Sequence, residues 1–239
     1  MRVQLHQAAI GCGLGAAVPA IDLIVDGPVP VVIAVQTDER PLLVSMLLAG
    51  RLRPDSGRVL VDGRENADEL RRRTALVDTP IVAEPAPGVA LKTVVAEEFS
   101  FAGLPTSGRA VRAFLADHDL AEYASLPVRS LPPADRIRLL SELAVLRPGV
   151  DGIVVTSPER HGGEPSQWYG PLAALAERGQ TVTIVTDYAT AGILVSLGAR
   201  DGAVPEPIPE PEAEAELEPA LEPAPAQPSP SDSPESRLS

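Results

Sequence analysis

The residues that could do chemistry lie in a few short segments, and each lacks part of the set that its chemistry needs. Gly11-Cys-Gly-Leu-Gly15 has glycines spaced for close backbone approach to a phosphate. A dinucleotide loop, however, needs a preceding strand, a sixth-position glycine and a following helix. Position 16 is alanine and Pro19 follows, so the segment reads as a flexible hairpin. Asp117-His-Asp119 offers metal-ligand side chains, but adjacent residues on a helix diverge and no second cluster completes the set, so it reads as a solvated loop. His161-Gly-Gly163 has no nucleophile with a supporting base, and Cys12 has no nearby histidine, so neither nucleophilic arrangement can be assembled. The remaining candidate is a strand-to-helix junction, Val35-Gln36-Thr37-Asp38-Glu39-Arg40-Pro41-Leu42-Leu43. Backbone N–H groups at such a junction make an anion site. Here the segment has neither glycine nor lysine, and Asp38 and Glu39 put carboxylates where an anion would sit.

The elements that position this junction follow from apolar patterning. Val29–Val35 is a short β-branched run after Gly27-Pro28, which predicts a buried strand. Residues 41–50 predict a helix capped by Asp38, with Pro41 in its first turn and Gly50 as its stop. Asp55-Ser-Gly57 is a turn, Arg58–Val61 a strand and Asp62-Gly63 a second turn. A helix over 67–73 leads into a strand Thr74–Val77, and the proline- and glycine-rich 80–90 segment reads as a loop. Helical patterns follow at 91–103, 107–117 and 119–125. A helix opened by Pro132-Pro133 then runs to Leu146, with Leu139, Leu140, Leu143 and Leu146 on one face. Strands at 152–156 and 181–186 alternate with helices near 170–178 and 189–197. Arg71-Arg-Arg73 reads as a solvated face. This order predicts an α/β fold with a mainly parallel sheet, flanking helices and a helical insert.

The stretch Leu47-Leu-Ala-Gly-Arg-Leu-Arg-Pro-Asp-Ser-Gly-Arg-Val-Leu-Val-Asp-Gly63 resembles the segment after the phosphate loop of ATP-binding cassette (ABC) ATPases. Arg71-Arg-Arg-Thr-Ala-Leu-Val77, the leucine-rich 136–148 helix and Ala176-Glu-Arg-Gly-Gln-Thr-Val-Thr-Ile-Val-Thr186 recur in the family's order. The resemblance covers residues 1–203 and implies a P-loop-NTPase-like domain with an N-terminal β portion and a helical subdomain at about 84–147.

Against the family's pattern, the nucleotide motifs are degenerate. Gln36, Thr37, Asp38, Glu39, Arg40, Pro41, Leu42 and Leu43 fill the phosphate-loop positions. Pro41 falls where the family has lysine, and Leu42 and Leu43 where it has the hydroxyls that serve magnesium. Arg40 is the one compensating charge. Thr156 and Ser157 replace the family's Asp-Glu pair, and Glu159 lies beyond Pro158, pointing into a turn. Hydroxyls neither hold Mg²⁺ as strongly as carboxylates nor accept a proton usefully near neutral pH. Leu131-Pro-Pro-Ala-Asp135 replaces the signature segment, Thr79 the magnesium-sensing glutamine, and Asp187 the switch histidine. No aromatic residue stands near Gly11–Gly13 to stack on adenine.

These departures imply no catalytic residues, no metal site, no cofactor and a non-catalytic accessory or regulatory role in an ABC transport system. The implied partners are a permease, a second ATPase subunit or a second copy of the chain. Two other readings fit the same residues: an ATP- and Mg²⁺-binding subunit with weak affinity, and a soluble scaffold that recruits partners through its acidic tail.

That tail, residues 204–239, holds ten prolines and nine acidic residues against one arginine, which predicts a disordered segment. It carries −8 of the net charge of −13, leaving the body mildly acidic and without a nucleic-acid-binding face. A single cysteine excludes an intramolecular disulfide and fits a reducing cytoplasm. No apolar run is long enough to span a bilayer, so membrane attachment is expected only through a partner.

Overall fold

The computed structural model describes residues 1–36 and 39–203. The predicted disordered tail, 204–239, lies outside the described residues, as do Thr37 and Asp38. A parallel sheet forms the centre, in the order β5 (Thr74–Val77), β6 (Gly152–Thr156), β7 (Thr181–Thr186), β3 (Val31–Ala34) and β8 (Arg200–Asp201). Every residue of β5, β6 and β7 is buried, as expected of parallel strands covered on both faces. A second, antiparallel sheet has the order β2 (Val18–Val25), β1 (Val3–Ile10) and β4 (Ser56–Val61).

Side-chain alternation along the parallel strands divides the core in two. Val32, Val77, Ile153, Val155 and Ile184 face a cluster that includes the helical elements α3 (Leu91–Phe101), α4 (Gly108–Asp117), α5 (Pro133–Val145) and α6 (Pro165–Glu177). Val31, Ile33, Leu76, Val154 and Val185 face the antiparallel sheet and α1 (Arg40–Leu48). Helix α2 (Ala67–Arg73) adds Leu70 to this second cluster, and α7 (Tyr188–Ser196) adds Ala191 and Leu194 to the first. Trp168, the only tryptophan of the chain, is fully buried in α6. No helix among the described residues is long and apolar enough to cross a membrane.

Caps match the helix starts read from the sequence. Asn66 accepts from the Glu69 N–H at 3.0 Å, Ser107 from Ala110 at 3.3 Å, and Asp187 from Thr190 at 2.7 Å. The helix expected at 119–125 shrinks to one 3-10 turn, Ala121–Tyr123. Asp119 takes a left-handed φ of 59° there, which ends α4 and leaves no room for another full helix before Pro127. At the start of α1 the capping position belongs to Glu39, whose side chain makes no cap bond. Pro41 lies in the first turn, as its missing N–H favours.

Candidate functional site at the C-terminal edge of the parallel sheet

Open parallel sheets bind ligands beyond the C-terminal ends of their strands. At that edge here stand Gln36 and residues 39–43 after β3, Asp78-Thr79 after β5, Thr156-Ser157 at the end of β6, and Asp187 after β7. Gln36 and Glu39 are exposed, while Pro41, Leu42 and Leu43 are half-buried, Leu43 against the second core cluster. The Arg40 guanidinium turns towards the β1–β2 hairpin. Its Nε donates to the Ala17 carbonyl at 2.8 Å and Nη2 reaches the Ala16 carbonyl at 3.5 Å. The one cation of the junction is thereby spent on backbone carbonyls.

Deeper in the edge lies a chain of hydroxyls. Thr156 Oγ1 donates to Ser45 Oγ on α1 at 2.8 Å, and Thr79 Oγ1 lies 2.8 Å from Thr156 Oγ1. Because Thr156 has one hydrogen and sends it to Ser45, Thr79 is the donor in the second bond. All three residues are fully buried. Magnesium requires oxygen ligands in near-octahedral order, usually including a carboxylate, and keeps several waters. Among the described residues, this buried chain of three hydroxyls offers such an ion no carboxylate.

Glu159 lies in a turn beyond Pro158, as expected, but its side chain points back to the sheet edge. Ser157 adopts a left-handed φ of 47°, and the 3-10 turn Pro158–His161 then brings the chain back over the edge. The Glu159 carboxylate accepts from Thr186 Oγ1, at the end of β7, at 2.6 Å. Burial, and to a lesser degree the neighbouring Asp187 carboxylate, raises its pKa, although the Thr186 bond opposes the shift. A raised carboxyl pKa means that the fold favours the protonated form, so stability declines as pH rises through the folded value. Glu159→Gln keeps an acceptor for Thr186 and removes the charge. The variant is expected to melt above the parent at pH 8, with the gap closing as pH falls towards the unfolded carboxyl value of about 4.3. An equal loss of melting temperature at both ends of that range would show that the carboxylate is held for its charge.

Beside this edge is a buried ion cluster that no local sequence signal announced. Asp78, fully buried with a φ of 50°, receives a forked bond from Arg136 of α5. Arg136 Nε donates to Oδ2 at 2.8 Å and Nη2 to Oδ1 at 2.6 Å. Arg160 Nη2 lies 3.3 Å from Oδ1 and also 3.2 Å from Glu84 Oε1. His161 Nε2 also lies 2.7 Å from Oδ2. Burial alone would raise the Asp78 carboxyl. The Arg136 fork, with His161 and Arg160, outweighs burial and holds it well below the usual carboxylate range. Oxygen and nitrogen atoms of Asp78, Glu84 and His161 lie within 4.8 Å of one another, close enough to surround a cation. Two guanidinium groups already occupy those carboxylates, and a divalent ion would be placed against both, so the set does not fit a metal.

The other segments singled out from sequence serve the fold. His118 Nδ1 bonds the Phe114 carbonyl at 2.8 Å, which separates it from its flanking aspartates. Gly11–Gly15 forms the β1–β2 connection, with the Gly11 N–H donating to Asp55 Oδ2 at 2.7 Å and Cys12 exposed. Leu131–Asp135 starts α5, where Asp135 pairs with Arg138 at 2.9 Å. Within Arg71–Arg73 only part is a solvated face. Arg73 instead joins three elements, with ion pairs to Asp62 and Asp151 at 2.6 Å and to Glu69 at 3.0 Å.

A groove of about 310 Å³ opens between the 79–90 loop, α3 and the end of α5. Its walls include Leu76, Val82, Val94 and Phe101, together with Arg51 and Arg147. Phe101 is 67% exposed, and the Arg147 guanidinium lies 5.2 Å from its ring centroid while bonded to Glu98 at 2.6 Å.

No family model and no curated protein matches the sequence. Solved structures do match in fold. A dimeric bacterial ABC transporter cassette superposes with a TM-score of 0.61 at 18% identity, over 80% of this chain and 90% of that one. A nucleotide-free ATP-binding cassette from an ABC transporter gives 0.60 at 15% identity, covering 81% and 84%. The cbiO1 protein of Clostridium perfringens, part of the ABC transporter complex cbiONQ, gives 0.56 at 16% identity, covering 77% and 78%. At these identities the likeness is one of fold: the α/β architecture is that of the ATP-binding cassettes.

Proposed function

We propose that the chain, which has the fold of an ATP-binding cassette, is a non-catalytic accessory or regulatory subunit of an ABC transport system. The observation that carries the reading is the Thr79–Thr156–Ser45 hydroxyl chain at the strand ends where magnesium chemistry would need carboxylates and water. Arg40, bound to the hairpin carbonyls, and Pro41, without charge or N–H, support it.

The test is nucleotide binding by the purified chain. A ligand present at one hundred times its Kd adds about 2.7 kcal/mol of stability. At about 1 mM ATP with Mg²⁺, a site of ~10 µM Kd would therefore shift the melt clearly. The expected result is no shift, and turnover equal to a no-protein blank. A shift without turnover would favour a nucleotide-binding subunit of a transporter, and turnover would overturn the reading altogether.

The groove beside the 79–90 loop is the surface proposed to meet a membrane permease or a second cassette subunit. An exposed aromatic at its mouth has the character of an interface anchor, worth about 2 kcal/mol or more on truncation. Phe101→Asp is expected to reduce recovery of the chain with membranes by about tenfold or more, with an unchanged circular-dichroism spectrum. A native chain that stays wholly in the soluble fraction and captures no permease would favour the scaffold reading.

A further inference from the structure

We propose that the Asp78 cluster is a brace that holds the helical lobe, α3 to α5, in one orientation on the sheet, so that the adjoining groove meets its partner already shaped. The brace stands on geometry alone; only the partner rests on the function proposed above. The lobe is connected to the sheet by two crossings of the chain, 78–90 and 146–151. Helix α5 also packs on β5, β6 and α6 within one apolar core, but apolar contact is non-directional and fixes an orientation less sharply than a forked ion pair. Asp78 stands at the first crossing, and its carboxylate binds three segments at once: the end of β5 that carries it, Arg136 in the lobe, and the turn after β6 through Arg160 and His161.

Rotation of the lobe would have to withdraw the Arg136 fork from a carboxylate that water does not reach. Stranding one charge of a buried pair is strongly unfavourable, whereas the intact pair is directional in both of its bonds. Packed interiors also resist continuous deformation, which favours one discrete arrangement. The 79–90 loop is tied to the same brace. Glu84 pairs with Arg160, the Ala83 N–H donates to the Thr79 carbonyl at 2.9 Å, and the Val128 N–H donates to the Val89 carbonyl at 2.8 Å. Glu84 also lines the groove. The groove wall and the brace are thus one piece, and a wall fixed before binding spares a partner the cost of ordering it.

The experiment measures distance distributions between spin labels on the full chain, without nucleotide or partner, so that its outcome is independent of whether ATP binds. In a Cys12→Ser background, Ala113→Cys places one label on α4 and Arg72→Cys places the other on α2, both at exposed positions. A single narrow distribution is expected, widening at least twofold in Asp78→Asn. Should Asp78→Asn fail to fold, the pair Asp78→Leu with Arg136→Met removes both charges without stranding either, and is expected to fold with the same widening. A broad or two-peaked distribution in the parent, or a narrow one in either folded variant, would overturn the brace.

Discussion

Replacing Arg136 by alanine is expected to cost about 3–5 kcal/mol of folding stability, the scale for removing one partner of a buried ion pair. The fork is the principal counter-charge to Asp78, whose carboxylate is fully buried. The pH dependence gives the loss a signature. In the parent, the depressed Asp78 pKa contributes stability that is present above the unfolded value of about 3.9 and lost only as pH falls through the lower folded value. Without Arg136, burial becomes the dominant influence, the pKa moves upward, and protonation relieves the stranded charge. The deficit of the variant, measured by urea unfolding, is therefore expected to be larger at pH 7 than at pH 5. A deficit below about 1 kcal/mol, the range of an exposed pair, would mean that water reaches Asp78.

Gly57→Ala is expected to destabilise by about 2–4 kcal/mol, combining a left-handed backbone penalty with overpacking. Gly57 has a φ of 77°, and a Cβ built on it would collide with the Gln7 carbonyl group. The obstacle is backbone, not a side chain that could swing away. Its origin is a bulge in β1. Ala9 pairs with Ser56 and His6 with Arg58, so two residues of β1 oppose Gly57 alone. Thermal melts of the variant check this, and a melting temperature within a degree of the parent would show that the hairpin can shift register.

Gly57 also marks what the sequence could reveal. The Pro-Asp-Ser-Gly turn, the β-branched run before residue 35 and the leucines of α5 are local signals, each written in adjacent or helically spaced residues. They led to the right strands, helices and sheet type. The limits of such signals are visible at the same helix: Leu139, Leu140 and Leu143 are buried, but Leu146, at its C-cap, is 37% exposed. The candidate site is written across segments that are distant in the sequence. Its actual bonds connect partners 111 residues apart for Ser45 and Thr156, and 58 apart for Asp78 and Arg136. Asp78 after a strand reads as an ordinary turn residue, and a helical arginine reads as solvated. Only the crossing of β5, α5 and the turn after β6 makes them a buried pair. The direction of the Glu159 side chain is hidden in the sequence for a similar reason, since the reversal at Ser157 depends on a backbone conformation that serine rarely adopts.

Trp168 has a practical consequence for the spectroscopist. It is the sole indole of the chain, wholly enclosed in α6, and its Nε1 has no hydrogen-bond partner among the described residues. Its excited state should therefore relax little and emit at the blue end of the tryptophan range. With only three tyrosines, the background emission is low. Opening the α5–α6 contact should redden and quench that emission, so each unfolding experiment described above has an optical reporter already built into the native chain. If the far-ultraviolet dichroism and the fluorescence trace one coincident transition, the body unfolds as a single cooperative unit.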